Sequence, residues 1–150
     1  MTTNNDKSIA TVLHLSALTQ YIIPFGNYIF PLVIWTSKKD SEFVDYNGKQ
    51  VMNFQLSIFL YMVTLILIAV PIFLYTIFNN VPLEVIFSDR DFVINNFSFE
   101  NIGGVAILGI IAALLFGALK VFEFILIIIA AVKASNGENY KYPLSIPFFK

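Results

Sequence analysis

Apolar positions gather into three long stretches, residues 9–35, 51–78 and 105–132. The second holds no charged residue, and the third holds only Lys120 and Glu123. About 20 apolar residues cross a hydrocarbon core of roughly 30 Å, so each of these two runs is long enough to span with tilt. Pro71 near the far end of the second predicts a kink there. The first stretch differs, because "IIPFGNYIFPLVIW" places Pro24, Gly26, Asn27 and Pro31 inside it. Proline removes a backbone donor and clashes with the preceding turn, and glycine disfavours helix by about 1 kcal/mol relative to alanine. Two half-helices follow, over residues 8–23 (about 24 Å) and 27–35 (about 14 Å). Neither half spans alone, and Pro24-Phe25-Gly26-Asn27 reads better as the turn of a shallow hairpin than as a kink.

Helical spacing then sorts the faces. Gln50, Asn53, Ser57, Tyr61 and Thr64 fall within about 80° of arc, a polar stripe that suits interhelical hydrogen bonding or one wall of a wet cavity. Ala106, Gly109, Ala113 and Gly117 form a small-residue face on the third stretch, where another helix could approach closely. Lys120 lies on that face near the middle of the run. A charge at such a depth faces protein or water, so it is expected to point at the Tyr61–Thr64 stripe and to pair with Glu123 at i, i+3. His14 is the single histidine. It is expected to serve as an interfacial hydrogen-bonding residue, with proton sensing as the rival role.

Composition agrees with a bilayer as solvent. The chain of 150 residues is 57% hydrophobic and 13% charged, with a mean hydropathy of +0.76, beyond the roughly 45–50% apolar content of soluble domains. A net charge of −1 supplies no basic patch for nucleic acid. Lysines near the helix ends set the topology. Residues 36–50 hold Lys38, Lys39 and Lys49, and residues 133–150 hold Lys133, Lys141 and Lys150. Residues 79–104 hold Arg90 beside Glu84, Asp89, Asp91 and Glu100. The first and last of these regions are expected in the cytoplasm and the middle one outside. Within the middle region "FVINNFSF" could form a short strand or an interfacial helix, and Asn96-Phe97-Ser98 matches a glycosylation triplet. Asn47-Gly48 and Asn136-Gly137 each predict a tight turn at a cytoplasmic helix end.

Chemistry is sparse. There are no cysteines, no phosphate-binding glycine loop, no zinc-protease motif, no nucleophile elbow and no paired intramembrane carboxylates. We therefore expect no enzyme, no metal site and no cofactor.

The stretches "FVDYNGKQVMNFQ", carrying Asp45, Asn47, Gly48, Lys49 and Asn53, and "NGENYKYPL", carrying Asn136, Gly137, Tyr142 and Pro143, flank the long helices. With "LSALTQYIIPFGNYIFPLVIW" before them, they resemble the bacterial membrane family grouped with the Tic-twenty component of the chloroplast inner-envelope import machinery. That resemblance implies a multi-helix membrane subunit related to protein translocation or insertion, and it carries over no functional residues. The expectation is an all-α integral membrane protein over residues 1–150, a single polytopic domain of two long transmembrane helices plus two half-helices. It would act in the bacterial inner membrane as a structural or accessory subunit, with the bilayer, further copies or another membrane protein as partners. The alternative is an oligomeric transporter or channel lined by the broken segment, the polar stripe and Lys120. The two Asn-Gly regions are expected to dock together as a rigid cytoplasmic cap or a partner-binding surface.

Overall fold

Helix α1 (Asn4–Ser16) begins where Thr3 can cap it. The Thr3 hydroxyl accepts from the Asp6 amide at 3.1 Å, and the Asp6 carboxylate accepts from the Thr3 amide at 3.1 Å, so two orphan donors are satisfied reciprocally. The computed structural model describes residues 3–80 and 99–150. Those residues hold four α-helices and no strand: α1, α2 (Gly26–Lys38), α3 (Glu42–Asn80) and α4 (Phe99–Ser135). The expectations for "FVINNFSF" and for the Asn96 triplet lie outside the described residues.

A 3-10 turn, Ala17–Tyr21, follows α1. It is tightened by the hydroxyls of Ser16 and Thr19, which donate back to the carbonyls of Leu13 and Ser16 at 2.7 and 2.6 Å. The chain then reverses. Phe25, at φ 62°, takes the left-handed conformation in this turn. Gly26 is required for a steric reason: a Cβ there would stand 2.5 Å from the Thr19 hydroxyl and 2.9 Å from its backbone carbon. α1 and α2 pack against each other, so the broken first stretch is a hairpin of two 13-residue helices. Pro31 lies buried within α2, which runs on through it.

α3 and α4 are 39 and 37 residues long, about 58 and 56 Å. Their portions Glu42–Thr76 and Ala106–Ser135 are each long and apolar enough to cross a membrane. α3 begins nine residues before the expected run, and this corrects the reading of Asn47-Gly48 as a turn. Both lie inside the helix, because the Asn47 side chain is buried and bonded and because Gly48 lets the Trp35 indole rest on the backbone. Asn136-Gly137 does form the expected turn. Gly137 has φ 81°, the Glu138 amide donates to the Lys133 carbonyl at 3.0 Å, and the Gly137 amide donates to that of Ala134 at 2.9 Å, a Schellman closure of α4.

The described chain divides into two compact units, Met1–Leu60 with Leu119–Lys150, and Tyr61–Ala118. Within the first, Ala10, Leu13, Ala17, Val44, Val51, Phe54, Ile127, Ala130 and Ala134 are almost wholly buried. Residues recurring at three- and four-residue steps on α1, α3 and α4 thus meet in one core. In the second, large apolar side chains such as Leu67 and Leu114 face outward. The small-residue face expected to contact a helix is open at Gly109 and Gly117, where a Cβ would meet nothing within 4 Å.

Glycine therefore plays opposite parts in the two units. Gly48→Ala should lower the melting temperature in detergent by several degrees, since overpacking against Trp35 costs about 1–3 kcal/mol. Trp35→Ala in the same chain should recover most of the loss. Gly117→Ala should leave the melting temperature unchanged or raise it, following helix propensity alone.

Candidate functional site

Polar side chains from both arms of the hairpin converge on α3, α4 and the segment after α4. His14, on α1 and outside the two candidate spans, is fully buried. Asn47 donates through Nδ2 to the Phe43 carbonyl at 2.8 Å, which turns its Oδ1 towards the imidazole. His14 Nε2 therefore carries a proton and donates to that oxygen at 2.8 Å, leaving Nδ1 to accept from the Tyr142 hydroxyl at 2.9 Å. The Tyr142 ring stacks on Phe54 with centroids 4.1 Å apart and planes 9° from parallel. Burial pushes the Tyr142 phenol well above its ordinary value, with the charges of Tyr140 and Glu123 adding to the rise. Burial likewise holds the imidazole neutral, down to about 4, against the opposing hydrogen bond from Asn47. The stretches around Asn47 and Tyr142 thus meet through one histidine.

A second set lies at the hairpin apex. Gln20 donates through Nε2 to Glu123 Oε1 at 2.8 Å and accepts through Oε1 from the Lys120 ammonium at 3.0 Å. Lys120 closes the triangle on Glu123 Oε2 at 2.9 Å. The Glu123 carboxylate is fully buried, whereas the Lys120 side chain is 30% exposed, so the cation reaches the rim while the anion stays inside. Across the apex, Asn27 donates to Gln55 Oε1 at 2.7 Å. Gln55 is wholly buried, and its Nε2 has no protein partner.

Nearer the start of α3, Asp45 accepts from the Trp35 indole at 2.8 Å and pairs with Lys49 at 2.7 Å. The pairs Trp35–Asp45 and Asn27–Gln55 are ten residues apart on α3, so the hairpin descends about 15 Å alongside it. An open, largely polar cavity of about 790 Å³ lies between the start of α3 and residues 139–150, lined by Asp45, Lys49, Gln50, Asn53, Lys141 and Phe149 among others. Asn53 and Ser57, read as interhelical glue or a cavity wall, also hold the chain's own backbone, while Asn53 lines this cavity. Asn53 donates to the Phe149 carbonyl at 2.9 Å and accepts from its amide at 2.7 Å. Ser57 accepts from the Ile146 amide at 2.8 Å.

Among the sequence candidates, Pro24 is exposed at the apex, Gly26 and Asn27 are buried beside it, and Pro143 is exposed in a turn after Tyr142. Tyr61, half-buried, and Thr64, exposed, belong to the second unit. Sequence reasoning passed over Gln20, Gln55 and Trp35. Gln55 falls off the polar stripe by more than a quarter turn of helix, and a lone amide inside an apolar run was the available signal. No group of three His, Cys, Asp or Glu among the described residues is placed to hold a metal ion. The arrangement organises charge and hydrogen bonds in an apolar setting and offers no activated nucleophile.

Two outcomes follow from this geometry. Lys120→Met strands a buried carboxylate and should destabilise by about 3–5 kcal/mol, whereas Lys120→Met combined with Glu123→Gln should recover most of that in detergent melts. For His14, the unfolded chain binds its proton near pH 6.5 and the folded chain only near 4. Stability is therefore full above pH 6.5 and is lost as pH falls from 6.5 towards 4, by roughly 3 kcal/mol in total. Melting should drop between pH 7.5 and 5, and His14→Gln, whose amide can bond both partners, should flatten that dependence.

No curated protein and no solved structure matches the chain. The family comparison overturns the resemblance to the Tic-twenty-grouped proteins and the translocation role drawn from it. The landmarks behind that resemblance were tyrosines, lysines and Asn-Gly pairs, residue types common at membrane interfaces and helix ends, and one of the two pairs is not a turn. The MamF/MmsF profile, described as the magnetosome magnetite crystal formation protein family, matches residues 5–149, and the chain belongs to that family.

Proposed function

We propose that this chain is a non-catalytic membrane subunit that takes part in forming magnetite crystals from within the membrane enclosing them. The family match over residues 5–149 carries the reading. The wide outward-facing apolar surface of Tyr61–Ala118 supports placement in lipid, since soluble monomers rarely expose such area.

Topology supplies the mechanism. Lys7, Lys38, Lys39, Lys49, Lys133, Lys141 and Lys150 all lie near those ends of α1 to α4 that come together in the first unit, and this supports a cytoplasmic side for that end. α3 and α4, as consecutive spans, carry the chain out and back. Residues 81–104, with Glu84, Asp89, Asp91 and Glu100 against Arg90, then face the interior where the crystal grows. Carboxylate oxygens suit hard metal cations, so this segment would touch solution ions or the mineral face while the first unit anchors it. The channel alternative loses ground because Asn53 and Ser57 are already filled by residues 145–150.

In a magnetite-forming cell, deleting the gene should give smaller or misshapen crystals by electron microscopy, and the wild-type chain should restore them. A chain carrying Glu84→Gln, Asp89→Asn, Asp91→Asn and Glu100→Gln should insert normally and fail to restore them. Unchanged crystals on deletion would overturn the reading.

A further inference from the structure

The outer surface of the α1–α2 hairpin changes character at one level on both arms. From residue 12 to residue 33 every exposed side chain is apolar or aromatic, among them Val12 and Leu15 on α1, Ile29 and Val33 on α2, and Ile22 and Phe25 at the apex. Outside that interval the exposed residues are polar, with Asn5 and Ser8 before it and Thr36, Lys38 and Lys39 after it. The apolar part of α2 rises about 10 Å from Gly26 to Val33, and the other arm rises about 16 Å from Val12 to Tyr21, counting its 3-10 turn. Half of a hydrocarbon core is roughly 15 Å. The sleeve is therefore one leaflet tall.

Its tip is its barest part. Ile22 is 84% exposed and Phe25 is 68% exposed. Phe25 holds a left-handed conformation that glycine or asparagine adopts at less cost, so the turn carries backbone strain while presenting a large ring outward. The polar side chains beside the tip, Gln20 and Asn27, are paired inward with Glu123 and Gln55, so a tip surrounded by lipid brings no unpaired amide from either of them. An apolar surface of this size needs a covering. Its height, its bare tip and its charged open end all fit the acyl chains of a single leaflet.

We propose that the α1–α2 hairpin is a one-leaflet wedge: it enters the bilayer tip first from the lysine-rich side, ends near the midplane, and makes the chain favour membrane that is convex on that side. The proposal rests on the placement in lipid proposed for the chain. Two helices, each roughly 10 Å wide, add their cross-section to the leaflet they enter. The hairpin adds none to the opposite leaflet. Such insertion spreads the headgroups of one leaflet, a convex surface relieves the crowding, and affinity follows curvature. A membrane closed around a crystal is convex on its cytoplasmic face, the face proposed for the lysine-rich end, so the hairpin holds the chain there in preference to flat membrane.

The chain has no cysteine, so single thiols report position. Full-length Lys38→Cys and Phe25→Cys chains are reconstituted in sealed vesicles of phosphatidylethanolamine and phosphatidylglycerol, about 30 or about 200 nm across, and treated with a membrane-impermeant maleimide before and after detergent. The Phe25→Cys thiol should stay unlabelled until detergent is added. The outward-to-inward ratio of the Lys38→Cys thiol should be at least about twofold higher in the small vesicles than in the large ones. A Lys38→Cys chain that also carries Ile22→Ala, Phe25→Gly, Ile29→Ala and Val33→Ala keeps the core and the paired amides but has less bulk in the leaflet. It should incorporate as well and show a smaller excess. Equal ratios in the two vesicle sizes, an excess undiminished in that variant, or a Phe25→Cys thiol open to the reagent in sealed vesicles would overturn the proposal. Chains that fail to float with the vesicles would overturn the placement in lipid as well.

Discussion

A chain reversal placed part-way down an apolar bundle must have its polar groups satisfied at that depth, and most of the first unit follows from this requirement. The hairpin of α1 and α2 turns back after about 15 Å, roughly half the thickness of a hydrocarbon core. Gln20 is thereby half-buried and Asn27 buried, and unpaired amides are costly in such a setting. α3 answers with Gln55 and α4 with Lys120 and Glu123. The same logic holds one level up, where His14 on α1 is met by Asn47 and Tyr142. His14, Gln20, Asn27 and Trp35 on the hairpin each bond a polar side chain at their own height on the surrounding elements, which favours one depth for the hairpin.

Residues 138–150 complete this arrangement by lying back over the unit they leave. The Schellman turn at Gly137 points the chain across the start of α1, where a Cβ would press into the Lys7 side chain at 2.7 Å. Tyr142 then enters the core as a plug. Its ring stacks on Phe54 and its hydroxyl closes the histidine's second hydrogen bond, so one side chain joins the segment to α1 and α3 together. Beyond it, recognition passes from side chain to backbone.

The break in the first apolar stretch was legible because Pro24 and Gly26 act through the backbone, and backbone effects are local. The two long helices were legible because hydropathy over 28 residues admits few other readings. What local reasoning mistook was the start of α3. Asn-Gly favours a turn in isolation, but here a buried amide bond and an indole lying on Gly48 hold it helical, and both partners come from distant positions, His14 and Trp35. The polar stripe was read as interhelical glue or a cavity wall, and Gln50 and Asn53 do line a cavity. The bonds of Asn53 and Ser57 to residues 146 and 149 were not foreseen, since nothing in the spacing distinguishes a neighbouring helix from an extended segment almost a hundred residues on. Of the candidate residues, those facing the hairpin proved connected, while Gln20 and Gln55 emerged only once depth was known.

The Gln20–Lys120–Glu123 triangle shows what such polar groups contribute. Desolvating two charges costs several kcal/mol per ion, and well-packed apolar residues of similar size would often be at least as stable. Stability alone is a weak reason for the pair to exist. A shift of the hairpin by one helical turn relative to α4, however, moves Gln20 by about 5 Å, breaks both of its hydrogen bonds and leaves the buried carboxylate with the lysine alone. Apolar neighbours such as Leu13 or Ile127 would find comparable packing in the shifted register, because dispersion is non-directional. The penalty for a wrong depth therefore comes from the triangle rather than from the surrounding core, and a lone charged pair in a featureless run of leucine, isoleucine and alanine is what gives that run a single correct alignment.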